Sequence, residues 1–157
     1  MTNKELKIAY QEYEHLEQLE PQDLQLAQSA IEAMAGSYAP YSNFNVGAAV
    51  LLDDGQIVKG ANQENAAYPS GLCAERTALF YAGANMPDKA VISIAIAAGQ
   101  GGTLCSNPVT PCGACRQVMA QYQLKGGRSM SIILVGKDRI WRFSKVEDIL
   151  PFIFDSI

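Results

Sequence analysis

No stretch of this sequence approaches the ~18 to 20 consecutive apolar residues that a membrane span needs. Its first residues, Met1-Thr-Asn-Lys-Glu-Leu-Lys, carry charge with no apolar run behind them, so no secretory leader is expected. Positive charge is also scarce: 12 Lys and Arg stand against 16 Asp and Glu, a net −4. Long-range repulsion then argues against a nucleic-acid polymer or an anionic membrane as the main partner. The sequence has no internal repeat, no low-complexity tract and no linker long enough to divide domains. Its one histidine, His15, falls in a charged connection where solvent is the natural environment. Gly99-Gln-Gly-Gly102 lacks the Lys-Ser/Thr pair and the following helix of a phosphate loop. Four cysteines with no secretory context read as metal ligands or buried thiols rather than disulfides, and the cytoplasm as the compartment.

What is present is enough apolar material for one core. Hydrophobic residues make up 48% of 157 and charged residues 18%, which predicts a single domain over 1–157. Residues 1–20 read as an N-terminal extension. Within it, Leu6, Ile8 and Tyr10 alternate with polar residues and predict a half-buried edge strand over 6–13. Pro21 suits a first helical turn, and Leu24, Ala27, Ile31 and Met34 recur at helical spacing up to Gly36. Strands are expected over 44–52 and 56–61, joined at Asp53-Asp54-Gly55. A helix over 73–84, a strand over 91–98, a loop over 99–111, a helix over 113–124 and strands over 131–136 and 139–143 follow. A final helical turn is expected over 146–150. Strands interleaved with helices predict one layered α/β domain around a mixed sheet.

Two short clusters carry the chemistry: Cys73-Ala-Glu75-Arg76 and Pro111-Cys112-Gly-Ala-Cys115-Arg116. Each begins a predicted helix, where unpaired N–H groups and the positive dipole end favour thiolate over thiol. Cys112 and Cys115 share one helical face, and Cys73 would supply a third thiolate. Three protein ligands on tetrahedral zinc leave a fourth position for water, the catalytic pattern rather than the structural one. A lone C-x-x-C also fits a redox pair or part of a structural knuckle; C-x-E at a second helix start argues against both. Glu75 lies too close to a ligand to coordinate easily alongside it. It is better placed beside that water, where it can accept a proton and pass it on. Three thiolates on Zn²⁺ leave a net −1, so Arg76 and Arg116 are candidates to offset the charge by donating to sulfur.

With these motifs in view, the sequence resembles the cytidine deaminase family, in its small homotetrameric type with three cysteine ligands. The resemblance runs over 39–154 through four motifs in order. They are Ala39-Pro-Tyr-Ser-Asn-Phe-Asn-Val-Gly-Ala-Ala, Gly60-Ala-Asn-Gln-Glu-Asn-Ala-Ala-Tyr68, Cys73-Ala-Glu-Arg-Thr-Ala-Leu and Pro111-Cys-Gly-Ala-Cys-Arg-Gln-Val. It implies a three-layer α-β-α domain with about five strands, and one zinc ion per subunit on Cys73, Cys112 and Cys115. Glu75 would be the proton shuttle. Asn62 and Glu64 would bind the ribose hydroxyls, Phe44 would pack on the pyrimidine, and Ala74 would join the substrate-binding set. Phe154 would reach into a neighbouring subunit's site, making a homotetramer with shared sites. Pro69-Ser-Gly and a long 99–108 loop depart from the pattern at the rim of the pocket, not at the metal centre.

The residues favour the same substrate class on physical grounds. Asn62 and Glu64, two apart near a strand end, would project from one face, and an amide with a carboxylate can bind a diol. A 5′-phosphate beside Glu64 would be repelled, which favours a free nucleoside. The expected reaction is deamination of cytidine and 2′-deoxycytidine to the uridines plus ammonia, a step of pyrimidine salvage. An aminopyrimidine antibiotic deaminase is the alternative within the same fold, and a binding module with structural zinc the alternative outside it. Cys105 is left as a spare thiol.

Overall fold

The computed structural model describes residues 1–156 and bears out an α/β domain of three layers around a mixed sheet. The sheet is built on the long apolar strand β4 (Val91–Gln100), which pairs antiparallel with β2 (Asn45–Leu52) and parallel with β6 (Ser131–Val135). Beyond β2 lies β3 (Ile57–Ala61), returned by a turn in which Gly55 takes φ 88°. Beyond β6 lie β7 (Ile140–Phe143) and then β1 (Gln11–Tyr13). The order is β1-β7-β6-β4-β2-β3, with β5 (Thr103–Leu104) paired to the end of β4.

Period-two alternation along the central strands fills two cores. Val50, Ile94, Ile96, Ile132 and Leu134 face α2 (Ala74–Asn85) and α3 (Gly113–Gly126). Ala49, Leu51, Ala95, Ala97, Ile133 and Val135 face α1 (Pro21–Ala33), which answers with Leu26, Ala27 and Ala30. Each fully buried Ile or Leu here stabilises by roughly 1.5 to 3 kcal/mol relative to exposure. Pro21 sits in the first turn of α1, as its fixed φ and missing donor suit.

Two features differ from the sequence reading. The sheet has seven strands rather than about five. The extra pairing arises inside the predicted 99–111 loop, where Gly101 (φ 57°) and Gly102 (φ 77°) take left-handed conformations and fold Thr103–Leu104 back onto β4. The N-terminal strand is shorter than 6–13: only Gln11, Glu12 and Tyr13 pair, against Arg142, Trp141 and Ile140. Its partner β7 is four residues long, so backbone groups further out have no ladder to join. Leu6 and Ile8 consequently stay exposed, while Tyr10 rests on Phe143 and Trp141 at ring separations of 5.3 and 5.7 Å.

Candidate active site and metal centre

The sequence places a cysteine at the first non-helical position before both α2 and α3. Cys73 (φ −69°, ψ 156°) and Cys112 (φ −67°, ψ 166°) are extended N-caps, and Cys115 lies in the first turn of α3. The two helix starts meet because α2 packs directly on α3 and very closely on β3. Gly60 permits that approach: a Cβ there would lie 2.5 Å from the Ala78 nitrogen and 2.8 Å from the Ala74 oxygen. As a result the three Sγ atoms fall within 4.8 Å of one another. Zinc–sulfur bonds of ~2.3 Å in a tetrahedron need sulfurs about 3.8 Å apart, so a small inward shift suffices. Three soft sulfurs at two positive helix ends are a donor set suited to zinc.

Without metal the sulfurs share protons unevenly. A hydrogen bond from Cys115, helped by the Arg76 guanidinium, lowers Cys73 to about 5. Cys115, the donor in that pair and buried, is pushed up. Metal binding must displace that proton. Arg76 donates from Nη2 to Cys73 Sγ at 3.7 Å, and its Nε is buried with no partner among the described residues. Arg116, the other arginine assigned to the thiolates, is spent elsewhere. Its Nε donates to the Pro111 carbonyl at 2.8 Å and its Nη1 to the Ile149 carbonyl at 2.7 Å. Those bonds brace the ligand loop against the C-terminal segment, and neither of them goes to sulfur. Cys105 lies outside the three-sulfur cluster.

Glu75, in the first turn of α2, is only 4% exposed. Burial raises its carboxyl above the ordinary range, and the nearby Cys73 thiolate adds to the effect. A carboxyl that holds protons more tightly than usual beside a cluster of metal-ligating sulfurs is equipped to accept a proton and pass it on.

Glu75 opens onto a cavity of about 640 Å³ whose walls also include Phe44, Asn62, Glu64, Cys73 and Arg76. That volume suits a small organic molecule. Asn62 is partly committed: its Oδ1 accepts from the Val46 N–H at 2.9 Å and its Nδ2 donates to the Phe44 carbonyl at 2.8 Å. One N–H and one lone pair remain. Glu64 accepts from the Tyr41 N–H at 2.8 Å, the Ser42 N–H at 3.3 Å and the Ser42 hydroxyl. These bonds hold its carboxyl below the usual range and leave about one of its roughly four acceptor sites free. A diol therefore finds one donor and two acceptors in this corner.

Ala74 and Phe154 do not line this cavity. Ala74 is fully buried behind it in the core. Phe154 lies on the surface, 65% exposed, with its carbonyl held by Gln117 Nε2 at 2.7 Å. Sequence reasoning passed over Ser42, Tyr41 and Tyr68, all in the walls. The Ser-x-Phe spacing, which lets a serine hydroxyl accept from the N–H two residues on, was the available signal for Ser42.

Known proteins point the same way. A family model described as the cytidine and deoxycytidylate deaminase zinc-binding region matches residues 20–126, which include all three sulfurs and Glu75. A cytidine deaminase of Halalkalibacterium halodurans is 51% identical over 96 residues, covering 61% of this chain and 68% of that protein. One from Mycobacterium tuberculosis is 39% identical over 126 residues, covering 80% and 84%. The solved cytidine deaminase of Burkholderia pseudomallei superposes with a TM-score of 0.71 at 38% identity, over 83% of this chain and 97% of that one. With its sulfur cluster, its layered sheet and two thirds of its length matched at once, the chain belongs to the zinc-dependent cytidine deaminase family.

Proposed function

We propose that this protein hydrolyses cytidine and 2′-deoxycytidine to uridine and 2′-deoxyuridine, releasing ammonia, as a step of pyrimidine salvage. The observation that carries the proposal is the buried Glu75 carboxyl set beside three converging cysteines at the floor of a nucleoside-sized cavity. Zinc held by Cys73, Cys112 and Cys115 supplies Lewis acidity that makes a water molecule a competent nucleophile near neutral pH.

The remaining chemistry belongs to the chain. Glu75 takes a proton from the attacking water and delivers it to N3 of the pyrimidine, which draws electrons away from C4. A C–O bond forms at C4. Glu75 then carries the proton of the new C4 hydroxyl to the amino nitrogen, the C–N bond breaks with its electron pair leaving on nitrogen, and ammonia departs. The Arg76 bond to Cys73 reduces the negative charge that three thiolates build up. Phe44 offers a face for the pyrimidine, and Asn62 and Glu64 offer the remaining donor and acceptors for the sugar.

Glu64 also decides between nucleoside and nucleotide. Among the described residues the only basic side chain in the cavity wall is Arg76, which is engaged with sulfur. A 5′-phosphate would meet the Glu64 carboxylate with no cation to offset it, so the free nucleoside is the substrate. The antibiotic-type alternative gains no support, since a sugar-binding corner and relatives named cytidine deaminase both favour cytidine.

A homotetramer with shared sites is the proposed assembly. Phe152 is 89% exposed and Phe154 65%, and Tyr68, Phe80 and Tyr81 are also exposed. Large apolar groups left in water by one chain support burial against further copies. Three cysteines kept as metal ligands and a fourth outside the cluster, none of them in a disulfide among the described residues, support a reducing compartment, the cytoplasm. Among the described residues no helix is long and apolar enough to cross a membrane. The deciding experiment is the absorbance change of cytidine on incubation with the protein. Turnover that is lost with a chelator and returns with zinc is expected; zinc-loaded protein that leaves cytidine unchanged overturns the proposal.

A further inference from the structure

Ser42 sits between the two parts of the cavity that the proposed function assigns to sugar and base. Its hydroxyl donates to Glu64 Oε1, and the same oxygen accepts from the Phe44 N–H at 3.0 Å. Among the described residues it is the only side chain bonded both to Glu64 and to the Phe44 backbone. The intervening Asn43 is the one non-glycine residue with positive φ, 53°, among the described residues. Asparagine is one of the few residues with a Cβ that adopt this left-handed conformation, and hydrogen bonds on either side hold it there. The Asn43 N–H bonds the Ala39 carbonyl at 3.0 Å, and Asn62 clamps the segment from the other side through Phe44 O and Val46 N.

We propose that Ser42 is a positioning residue that couples sugar recognition at Glu64 to the placement of the Phe44 ring. The inference rests on the nucleoside reading above. A hydroxyl that donates to a carboxylate becomes a better acceptor at its own oxygen. The strength of its grip on the Phe44 N–H therefore depends on how Glu64 is engaged. Removing the hydroxyl leaves Glu64 with an extra unsatisfied acceptor site. It also removes the bond to the Phe44 N–H, leaving the Asn62 bond to the Phe44 carbonyl to hold that residue.

The test is steady-state kinetics of zinc-loaded wild type, Ser42→Ala and Ser42→Thr on cytidine, with zinc content and Tm recorded for each. Two interactions of ordinary strength are lost, so Ser42→Ala should raise KM about 10-fold with kcat changed less than ~3-fold, and Ser42→Thr should restore KM to within ~3-fold. Coupling is read by repeating Ser42→Ala in a Phe44→Leu background, where its effect on KM should shrink to less than ~3-fold. A merely structural role would lower Tm and the active fraction while leaving KM in place. An unmoved KM in Ser42→Ala, the same KM ratio in both backgrounds, or a folded Ser42→Thr without rescue overturns the assignment. Wild-type protein inert toward cytidine would instead remove the nucleoside reading on which it rests.

Discussion

Replacing Glu75 by glutamine changes charge and proton affinity at almost constant volume. The side chain is 4% exposed, and an isosteric amide avoids the volume change that would confuse interpretation. The three sulfurs keep their positions, and zinc content should stay at one per chain. Activity should collapse. General acid–base catalysis is worth about 10² to 10⁴-fold, and Glu75 moves protons at N3 and again at the leaving nitrogen. A loss of at least ~10⁴ in kcat, about 5.4 kcal/mol of barrier, is therefore expected.

Stability should move the opposite way. Burial raises the Glu75 carboxyl in the folded state, so the folded protein binds this proton more tightly than the unfolded chain does. Its contribution is fully present below the ordinary carboxylate range and is lost as pH rises through the folded value. Glutamine cannot ionise, so metal-free Glu75→Gln should melt higher than metal-free wild type at neutral pH, with the gap closing toward pH 4. Metal-free protein is needed because a bound dication would invert the local electrostatics. Absorbance turnover and thermal melts at two pH values test both halves. Near-normal kcat in a zinc-loaded, folded Glu75→Gln removes Glu75 from the mechanism. An equal or lower melting point at neutral pH refutes the burial argument.

Serine at Cys73, Cys112 or Cys115 should abolish stoichiometric zinc by metal analysis, whereas Cys105→Ser, outside the cluster, should keep it. Cytidine should show a far higher kcat/KM than its 5′-monophosphate, because among the described residues Arg76 is the only cation in a cavity wall that also carries the Glu64 carboxylate; comparable values would reveal a phosphate site. Phe154→Ala should raise KM without loss of zinc. Mixing it with zinc-dead Cys73→Ser after dissociation and reassembly should restore activity, since the second chain supplies an intact Phe154 in trans. A fully active monomer by light scattering would defeat the shared site.

Much of this molecule follows from patterns that act over a few residues. The nearly unbroken apolar run of β4 and the 3.6-residue spacing of α1 depend only on which side chains must leave water. Cysteines at the cap or in the first turn of a helix lie at its positive dipole end wherever that helix packs, so C-x-E and C-x-x-C were legible as one metal site. Other features needed the tertiary structure, because they depend on which atoms arrive from elsewhere in the chain. Gly101 and Gly102 permit a hairpin, but only β4 offers Thr103–Leu104 an edge to join. Leu6 and Ile8 alternate correctly for a strand, yet β7 is too short to pair with them. Arg116 lies next to a ligand in sequence, but carbonyls of Pro111 and Ile149, the latter 33 residues away, claim its guanidinium. Asn62 and Glu64 were readable as a polar pair facing one way. That each also ties down the 41–46 segment became visible only when β2 and β3 brought that segment alongside. Burial and helix capping are properties of a residue and its near neighbours, whereas a hydrogen-bond partner is chosen by the folded chain as a whole.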